Sequence, residues 1–340
     1  MPVNHRIVLS ERPRGIPEPR HFELASQALP RPSSGEMIVE TLYLSIDAAL
    51  RGWLNDEPNY SAPVAVGEVV RSLAVGRVVE SHAAEFAPGD LLYGWFGWQT
   101  HCRTTADRVL RRVRADQAPI SAAAGVLGIN GLTAWLALHD IGTPRRGETV
   151  IVSTAAGAVG SIVGQLAKRA GCRTVGLTGS DEKLRLCRDH FGYDAAINYR
   201  TCTPLDGAVA EHCPGGVDVF FDNAGGTIAD VIVRRMNPFG RIIQCGTVAT
   251  ASWHPVVPLG PRIEREILAR RLRMQGFVIF DHRERFDDVA ATLAEQIRSG
   301  GLTYVEDIYE GLESAPQALA DLYAGRNEGK VLVRIAGDSA

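Results

Sequence analysis

The spacing of apolar and polar residues changes once along the chain. The first ~120 residues contain short apolar runs separated by turn residues, a pattern that favours strands over helices. It predicts strands at Glu36–Ile46, Val75–Ser81 and Asp90–Gly94. Before the third strand, Pro88 and Gly89 predict a tight turn, because proline restricts φ and glycine accepts positive φ. We therefore expect a mostly-β first domain.

From Glu148 onward the pattern predicts strands and helices in alternation. Each strand is a short apolar run, and most helices are about ten residues long. The predicted strands are Thr149–Ser153, Arg173–Thr178, Ala195–Asn198, Val217–Asp222, Gly240–Cys245 and Leu272–Phe280. The predicted helices are Ala158–Ala170, Asp181–His190, Ile228–Met236 and Arg283–Ser299. Strands joined by such helices form parallel βαβ units, which predicts an α/β protein with a doubly wound sheet.

The C-terminal tail alternates again. It is predicted to contain a strand near Ile308, a helix at Pro316–Tyr323 and a strand at Lys330–Ile335. A chain of 340 residues is long enough for two domains. We expect one domain of residues 1–125 and 306–340, into which a second domain of residues 126–305 is inserted.

Charge and composition exclude several classes of function. The chain has 36 basic and 39 acidic side chains and a net charge of −3, so it has no excess positive field for a nucleic acid. The uncharged segment Gln117–His139 is long enough to span a membrane. Asn130, Thr133 and several glycines interrupt it, however, so we expect a buried segment between the domains. The six cysteines form no C-x-x-C pair and the first residues contain no apolar run, which predicts reduced thiols in a soluble, cytoplasmic protein.

A glycine-containing loop follows the strand Thr149–Ser153. It has the pattern A-x-G-x-x-G, with Ala155 at the position where the first glycine is usual. In a dinucleotide-binding fold, Gly157 would let the backbone approach a pyrophosphate, and Gly160 would let the next helix pack closely on the strand. Small residues also pack helices on sheets, but the strand before the loop and the helix after it favour nucleotide binding.

The second strand of this unit ends without the acidic residue that holds the ribose hydroxyls of NAD. It ends in Leu177-Thr178-Gly179-Ser180, and the first acid is Asp181. Ser180 could donate a hydrogen bond to a 2′-phosphate and Lys183 could neutralise its charge, which favours NADP. Alternatively, Ser180 or Asp181 caps the next helix and Lys183 is solvated, and the two interpretations are compatible.

The first domain lacks the Cys, His and carboxylate ligands of a zinc alcohol dehydrogenase. His101 and Cys102 are adjacent, but such residues on a strand are more often packing residues than ligands, so no metal is expected. No Tyr-x-x-x-Lys pair of the short-chain dehydrogenase type follows the nucleotide loop. The aromatic segment Gly94–Trp98 is either core, a loop lid or a wall of an apolar substrate cleft, and the sequence favours none of these.

Together these features resemble one known family. It comprises the zinc-independent medium-chain dehydrogenases/reductases that include prostaglandin reductases, plant alkenal double-bond reductases and bacterial curcumin reductase-like enzymes. The matching motifs cover nearly the whole chain and are Phe22–Leu24, Val75–Ser81, Gly97–Gln99, Asn130–Ala134, Ala155–Ser161, Gly179–Lys183, Asn198-Tyr199, Phe221–Asn223, Cys245-Gly246 and Asn327–Lys330. The resemblance implies a mostly-β, GroES-like catalytic domain joined to a Rossmann domain with a doubly wound parallel sheet.

The resemblance also implies NADPH as the cofactor. Gly157, Ala158, Val159 and Gly160 would hold the pyrophosphate. Beside Ser180, the residues at the adenosine phosphate would be Lys183 and Tyr199. The residues that would line the ribose and nicotinamide are Asn223, Cys245, Gly246, Thr247, Phe277, Val278, Ile279 and Asn327.

The reaction that the resemblance implies is reduction of the carbon–carbon double bond of α,β-unsaturated ketones or aldehydes, in the cleft between the domains. Hydride would go to the β-carbon, and the enolate would be stabilised by hydrogen bonds before the α-carbon is protonated. The catalytic candidate is Tyr60, whose phenol could stabilise the enolate or could only cover the cleft. Two departures from the family alter the expected pocket. Ala269 replaces a tyrosine of some members, and Asp47-Ala48-Ala49-Leu50-Arg51 replaces Asp-Pro-Tyr-Met-Arg.

Two alternative functions stay open on the sequence. A zinc-free NADPH quinone oxidoreductase would share the fold and the hydride donor, and a catalytically silent NADP-binding regulator would keep the loop without turnover. Family members often form homodimers through the last Rossmann strand, here Leu272–Phe280. The expected partners are therefore a second copy and a small-molecule substrate, with neither nucleic acid nor membrane.

Overall fold

Two units of the chain correspond to the change in sequence pattern. The computed structural model describes residues 3–57, 59–202, 204–250 and 258–337. One unit consists of Met1–Gly128 and Glu306–Ala340, and the other of Ile129–Val305. The segment expected to be buried contains the boundary between these units, and Ser121–Ala134 within it is buried throughout. Across the described ranges, no helix has the length and apolar character needed to cross a membrane.

The described residues form fifteen strands and nine α-helices, numbered here in chain order. The strands are Val3–Leu9 (β1), Phe22–Ala28 (β2), Glu36–Ser45 (β3), Ala74–Ser81 (β4), Leu91–Gly94 (β5), His101–Thr105 (β6), Val109–Arg112 (β7), Thr149–Ser153 (β8), Arg173–Thr178 (β9), Ala195–Asn198 (β10), Val217–Asp222 (β11), Met236–Gln244 (β12), Arg273–Gly276 (β13), Glu306–Glu310 (β14) and Lys330–Arg334 (β15). The helices are Leu50–Trp53 (α1), Ile129–Ala137 (α2), Gly160–Arg169 (α3), Asp181–Arg185 (α4), Leu205–His212 (α5), Gly226–Val233 (α6), Glu264–Arg270 (α7), Phe286–Arg298 (α8) and Ala315–Ala324 (α9). Short 3₁₀ or π-helical turns occupy Pro19–His21, Ala106–Arg108, Ile120–Ala124, Leu138–Gly142, Leu186–His190, Ile279–Arg285 and Leu312–Ser314.

The first unit is built on a seven-stranded sheet. Its strands follow the order β14-β15-β3-β4-β5-β7, and β6 also pairs with β3. The pairing of β14 with β15 is parallel and the others are antiparallel. β15 pairs with β3 through Leu332 and Ser45, so the C-terminal tail joins the sheet formed by the N-terminal residues. The apolar runs Met37–Val39 and Leu42–Leu44 of β3 are buried because this strand lies inside the sheet.

The second unit is built on a six-stranded parallel sheet with the order β10-β9-β8-β11-β12-β13. Its strands carry the buried core residues Ile151, Val175, Phe220 and Ile242. The chain runs outward from β8 to β10 and then returns to β11 beside β8. This reversal of strand order is the switch point of a doubly wound sheet. The predicted fold class, a mostly-β domain with a Rossmann-type α/β domain, is confirmed.

The four helices predicted for the second unit all have other bounds in the structure, and α4 ends at Arg185, where a π-helical turn over Leu186–His190 follows. The helix expected at Ala158–Ala170 begins at Gly160, because the turn after β8 occupies the residues before it. The helix expected at Ile228–Met236 is shifted towards the N-terminus and starts at two consecutive glycines with positive φ. Met236 therefore belongs to β12, which is longer than predicted.

The strand expected at Leu272–Phe280 is shorter. Only β13 pairs with β12, because β12 itself ends opposite Gly276. The chain then forms a 3₁₀ turn over Ile279–Arg285, and α8 begins only after it. β13 is an edge strand with four exposed residues, and the homodimer expected at this strand stays a prediction.

Candidate functional site

The candidate cofactor residues of the second unit follow one edge of its parallel sheet. The groups are Gly157, Ala158, Val159 and Gly160 after β8, Ser180 and Lys183 after β9, Tyr199 after β10, Asn223 after β11, Cys245, Gly246 and Thr247 after β12, and Phe277, Val278 and Ile279 after β13. Because the strands are parallel, their carboxyl ends share an edge, and ligands of doubly wound folds bind there. The structure therefore brings these candidates together on one edge, whereas Tyr60 and Asn327 belong to the first unit.

The turn after β8 explains why alanine replaces the first glycine of the loop. The left-handed residue of this turn is Thr154, with a φ of 49°, and the Gly157 N–H donates to its carbonyl oxygen at 2.9 Å. Ala155 is fully buried, and its methyl carbon lies 2.8 Å from the place that a Cβ on Gly176 would take. Position 155 therefore accepts alanine because position 176 on β9 is glycine.

The two glycines of the loop differ in what surrounds them. A Cβ on Gly160 would lie 2.8 Å from Ala155 Cα and closer still to the Thr154 carbonyl oxygen. A Cβ on Gly157 would meet only Thr154, 3.1 Å from its carbonyl oxygen, so one side of Gly157 is open. Gly160 is thus needed for packing, while Gly157 leaves space for an approaching ligand.

The beginning of α3 is suited to an anion. The backbone N–H groups of Ala158, Val159 and Gly160 donate to no acceptor within the described ranges. They lie at the N-terminus of a ten-residue helix, where free N–H groups and the helix dipole favour negative charge. A pyrophosphate fits this arrangement, as it does in other dinucleotide-binding loops.

The end of β9 carries the residues expected at an adenosine phosphate. The Ser180 hydroxyl accepts a hydrogen bond from the Lys183 N–H at 3.3 Å, so Ser180 caps α4. Asp181 accepts from the Asn198 side-chain amide at 2.7 Å, which turns this carboxylate towards β10. The capping alternative is therefore correct for Ser180, and a phosphate-binding role remains compatible with it.

A second cation lies at this end, and the sequence did not single it out. A Cβ on Gly179 would be 2.8 Å from the Tyr199 hydroxyl and 3.2 Å from Arg200 Nε. Arg200 is exposed and forms no ion pair with another described residue. Its backbone N–H donates to Asn198 Oδ1 at 3.1 Å. Arg200 is therefore a second cation, besides Lys183, among the residues that follow β9 and β10, and a basic residue directly after Tyr199 was the signal available in the sequence.

A hydrogen-bonded network fixes the switch point between β8 and β11. The Ser153 hydroxyl donates to Asp222 Oδ1 at 2.8 Å and accepts from the Asn223 N–H at 2.8 Å. The same Asp222 oxygen accepts from the N–H groups of Ala224 and Gly225, each at 2.9 Å. The Asn223 side-chain amide donates to the Ser153 carbonyl oxygen at 2.9 Å, so its orientation is fixed. Ser153 and Asp222 are positioning residues that sequence reasoning missed.

The turns after β12 and β13 complete the edge. The Cys245 N–H donates to the Asp222 carbonyl oxygen at 2.8 Å, and burial, with a smaller effect from Asp222, raises the pKa of the Cys245 thiol to about 12. The thiol therefore stays protonated at neutral pH. A Cβ on Gly246 would lie 2.8 Å from the Asn223 carbonyl oxygen. Phe277 stacks on His282 with 5.0 Å between the ring centroids, which orders the segment after β13.

The catalytic candidate of the first unit, Tyr60, packs against an aromatic pair, Trp53 and Trp95. Tyr60 is 54% exposed, and its ring meets Trp53 edge-on with 6.5 Å between the centroids. Trp53 also packs against Trp95, 5.5 Å away. Phe96 and Trp98, from the same aromatic segment, are buried in the core. Of the three interpretations of this segment, core therefore applies to Phe96 and Trp98, while Trp95 packs against Trp53, which Tyr60 also contacts.

Asn327 lies next to a buried ion pair. Its side-chain amide donates to the Gly329 carbonyl oxygen at 2.8 Å. Lys330 Nζ donates to the Ile46 carbonyl oxygen at 2.6 Å and to Asp47 Oδ1 at 3.0 Å. Burial lowers the pKa of Lys330, while Asp47 acts in the opposite direction. The pair ties the start of β15 to the chain after β3.

His101 and Cys102, adjacent in sequence, were considered as possible metal ligands. His101 Nδ1 lies 3.2 Å from the Thr100 hydroxyl oxygen. Burial raises the pKa of the Cys102 thiol to about 11. Within the part of the chain that the structure describes, no three His, Cys, Asp or Glu side chains are grouped as metal ligands would be.

Comparison with known proteins relates both units to oxidoreductases. Residues 5–111 match the family described as the N-terminal domain of oxidoreductase, and residues 158–295 match the zinc-binding dehydrogenase family. The NADPH-dependent curcumin reductase of Escherichia coli is 37% identical over 339 residues, which are 98% of this chain and 98% of that protein. The 2-alkenal reductase (NADP(+)-dependent) of Nicotiana tabacum is 35% identical over 337 residues, again 98% of each chain. The crystal structure of CurA from Vibrio vulnificus in complex with NADPH is 34% identical and has a TM-score of 0.92, covering 98% of this chain and 99% of that one.

Proposed function

Because the chain belongs to the medium-chain dehydrogenase/reductase family, we propose that it reduces the carbon–carbon double bond of α,β-unsaturated ketones or aldehydes. It is an oxidoreductase and its cofactor is NADPH, as the sequence predicted. The observation that carries the proposal is similarity over nearly the whole chain to reductases named for conjugated substrates, curcumin and 2-alkenals.

The residues of the second unit would bind and orient the cofactor, which supplies a hydride when bound. The free N–H groups at the start of α3 would hold the pyrophosphate, and Lys183 and Arg200 would hold the 2′-phosphate. Asn223 would present its fixed amide group at the switch point. Because the Asn223 amide is already held by the Ser153 carbonyl oxygen, it needs little further ordering when the cofactor binds.

Tyr60 would act on the substrate carbonyl. A hydrogen bond from its hydroxyl would stabilise the negative charge that develops on this oxygen as the double bond is reduced. The same hydroxyl could pass a proton to the product. The ring packs against Trp53, while the residue as a whole is 54% exposed.

Turnover of an enone tests this function directly. NADPH oxidation is measured with an alkenal, an aryl enone and a quinone, and the saturated product is identified by mass spectrometry. We expect reduction of the enone and the alkenal. Replacing Tyr60 by phenylalanine should lower kcat about tenfold without changing the dissociation constant of NADPH, because only the hydrogen bond to the carbonyl is removed. Reduction of quinones alone would favour a quinone oxidoreductase, and NADPH binding without any turnover would favour a regulator.

The preference for NADPH over NADH should depend on Lys183 and Arg200, the two cations that follow β9 and β10. Lys183→Gln and Arg200→Gln should each lower kcat/KM for NADPH about tenfold, because each removes a charge-assisted hydrogen bond to the 2′-phosphate. The values for NADH should not change. Arg185→Gln is the matched control, since Arg185 lies on the same helix but pairs with Glu182 at 3.4 Å. A similar loss with both cofactors would contradict the assignment.

A further inference from the structure

Arg71 is an unusual cation of the first unit. It lies in the segment before β4, and its guanidinium carbon is 5.2 Å from the centre of the Trp53 ring. Its Nη2 group donates to the Ala62 carbonyl oxygen. Stacking on an aromatic face and one backbone hydrogen bond therefore fix the direction of this side chain.

The charge of Arg71 has no acidic partner within the described ranges. Its Nε is buried without a hydrogen-bond acceptor there, and no carboxylate lies within ion-pair distance. Burial lowers the pKa of Arg71 and Arg108 lowers it further, while Tyr60 and Glu68 act in the opposite direction. A half-buried guanidinium is normally paired, because removal from water is costly without a partner.

Arg112 shows the usual arrangement in the same unit. Its guanidinium carbon lies 4.7 Å from the centre of the Phe86 ring, so it is stacked as Arg71 is. In addition, its Nη1 group lies 2.6 Å from Asp90 Oδ2. Stacking on an aromatic ring therefore does not account for the missing acid at Arg71.

The surroundings of Arg71 connect it to the catalytic candidate. Trp53 contacts both residues, since the Tyr60 ring packs against it at a nearly perpendicular angle and the Arg71 guanidinium lies over its ring. Trp53 Nε1 is a further buried donor without an acceptor in the described part of the chain. One cation and one indole donor thus lie around the same tryptophan as the Tyr60 phenol, which can also donate a hydrogen bond.

We propose that Arg71 binds a carboxylate of the substrate, so that the preferred substrates are enones or enals that also carry an acid group. The proposal rests on the proposed function, because it takes Tyr60 to bind the carbonyl of the same molecule. A guanidinium matches the two oxygens of a carboxylate, and the stacked position of Arg71 orients it in advance. Arg71 is then a specificity-determining residue. The reducible double bond of the substrate lies between the carboxylate bound by Arg71 and the carbonyl bound by Tyr60.

A pair of substrates that differ only in this charge tests the proposal. The probes are straight-chain alkyl enones ending in a carboxylate, and their methyl esters, in a series of increasing chain length. With the unaltered protein we expect a lower KM for the acid of optimal length than for its ester. Arg71→Gln should raise the KM for that acid about tenfold and leave its kcat unchanged. The KM and kcat for the ester should not change. Arg71→Lys, which keeps the charge, should restore part of the difference.

Two further measurements keep the outcomes distinct. Arg112→Gln serves as the control for loss of a stacked arginine, and it should leave the KM and kcat for both the acid and the ester unchanged. Thermal unfolding of each variant shows whether it is folded. Equal effects of Arg71→Gln on acid and ester, or no preference for the acid in any length, would overturn the carboxylate site. If neither acid nor ester is reduced by the unaltered protein, the proposed function itself fails.

Discussion

Replacing Lys330 by methionine should lower the free energy of unfolding of the first unit by about 3–5 kcal/mol. The side chains of Lys330 and Asp47 are only 6% and 10% exposed, so the pair is almost completely removed from water. Without Lys330, the Asp47 carboxylate would keep the hydrogen bond from the Ser45 hydroxyl, at 2.6 Å, but would lose the cation that faces it. A buried Asp47 carboxylate without its cation lowers the stability of the folded state. Urea unfolding followed by tryptophan fluorescence measures it, because Trp53, Trp95 and Trp98 belong to this unit.

A second ion pair on the same strand provides the control. Arg334, at the other end of β15, pairs with Glu310, and these side chains are 47% and 62% exposed. Arg334→Met should change the free energy of unfolding by about 1 kcal/mol or less, because solvent screens exposed pairs. The double variant Lys330→Met with Asp47→Leu should regain most of the lost stability, since it removes both charges. Equal losses from Lys330→Met and Arg334→Met would show that burial does not decide the strength of the pair.

The parallel sheet shows which parts of the fold follow from sequence. The bounds of β8, β9, β10 and β11 were predicted to the residue, because buried parallel strands are short, almost continuous apolar runs. β1 and β2 were not predicted. The residues of β2 are mostly exposed, so they give little apolar pattern, and the pairing of β2 with β1 spans a loop of twelve residues. Such strands form because a partner strand elsewhere in the chain pairs with them, and the local sequence pattern does not show which segment that partner is.

The same distinction applies to the site. The glycine loop could be found because its residues are adjacent in sequence and their roles follow from backbone space. The Ser153–Asp222 hydrogen bond joins residues 69 positions apart, and the Lys330–Asp47 pair joins residues 283 positions apart. No local sequence pattern predicts either contact, although both hold residues next to the candidate site residues in place. Arg200 lies between these cases. It is adjacent to Tyr199 in sequence, but only the fold places it beside Gly179, which directly follows β9.

Replacing Gly160 by alanine should both destabilise the second unit and weaken NADPH binding about 100-fold. The new methyl group would meet the backbone of Thr154 and Ala155, with 2.8 Å to Ala155 Cα, and backbone cannot rotate away as a side chain can. Overpacking of this kind costs about 1–3 kcal/mol. Any shift that relieves the clash moves the start of α3, and with it the N–H groups that would hold the pyrophosphate. Thermal unfolding of the free protein and titration with NADPH measure the two effects separately.

Gly157→Ala separates packing from ligand approach within the same loop. Its methyl group would be 3.1 Å from the Thr154 carbonyl oxygen and would otherwise point into open space. The free protein should therefore keep its unfolding temperature, while the dissociation constant of NADPH rises at least tenfold because the methyl group takes the place of the pyrophosphate. Unchanged NADPH affinity in Gly157→Ala would mean that the pyrophosphate does not approach this face. Unchanged stability in Gly160→Ala would mean that the turn after β8 can yield, and that its order does not depend on close packing. Loss of affinity with intact stability at position 157, and loss of both at position 160, is the combination that a phosphate loop built on β8 requires.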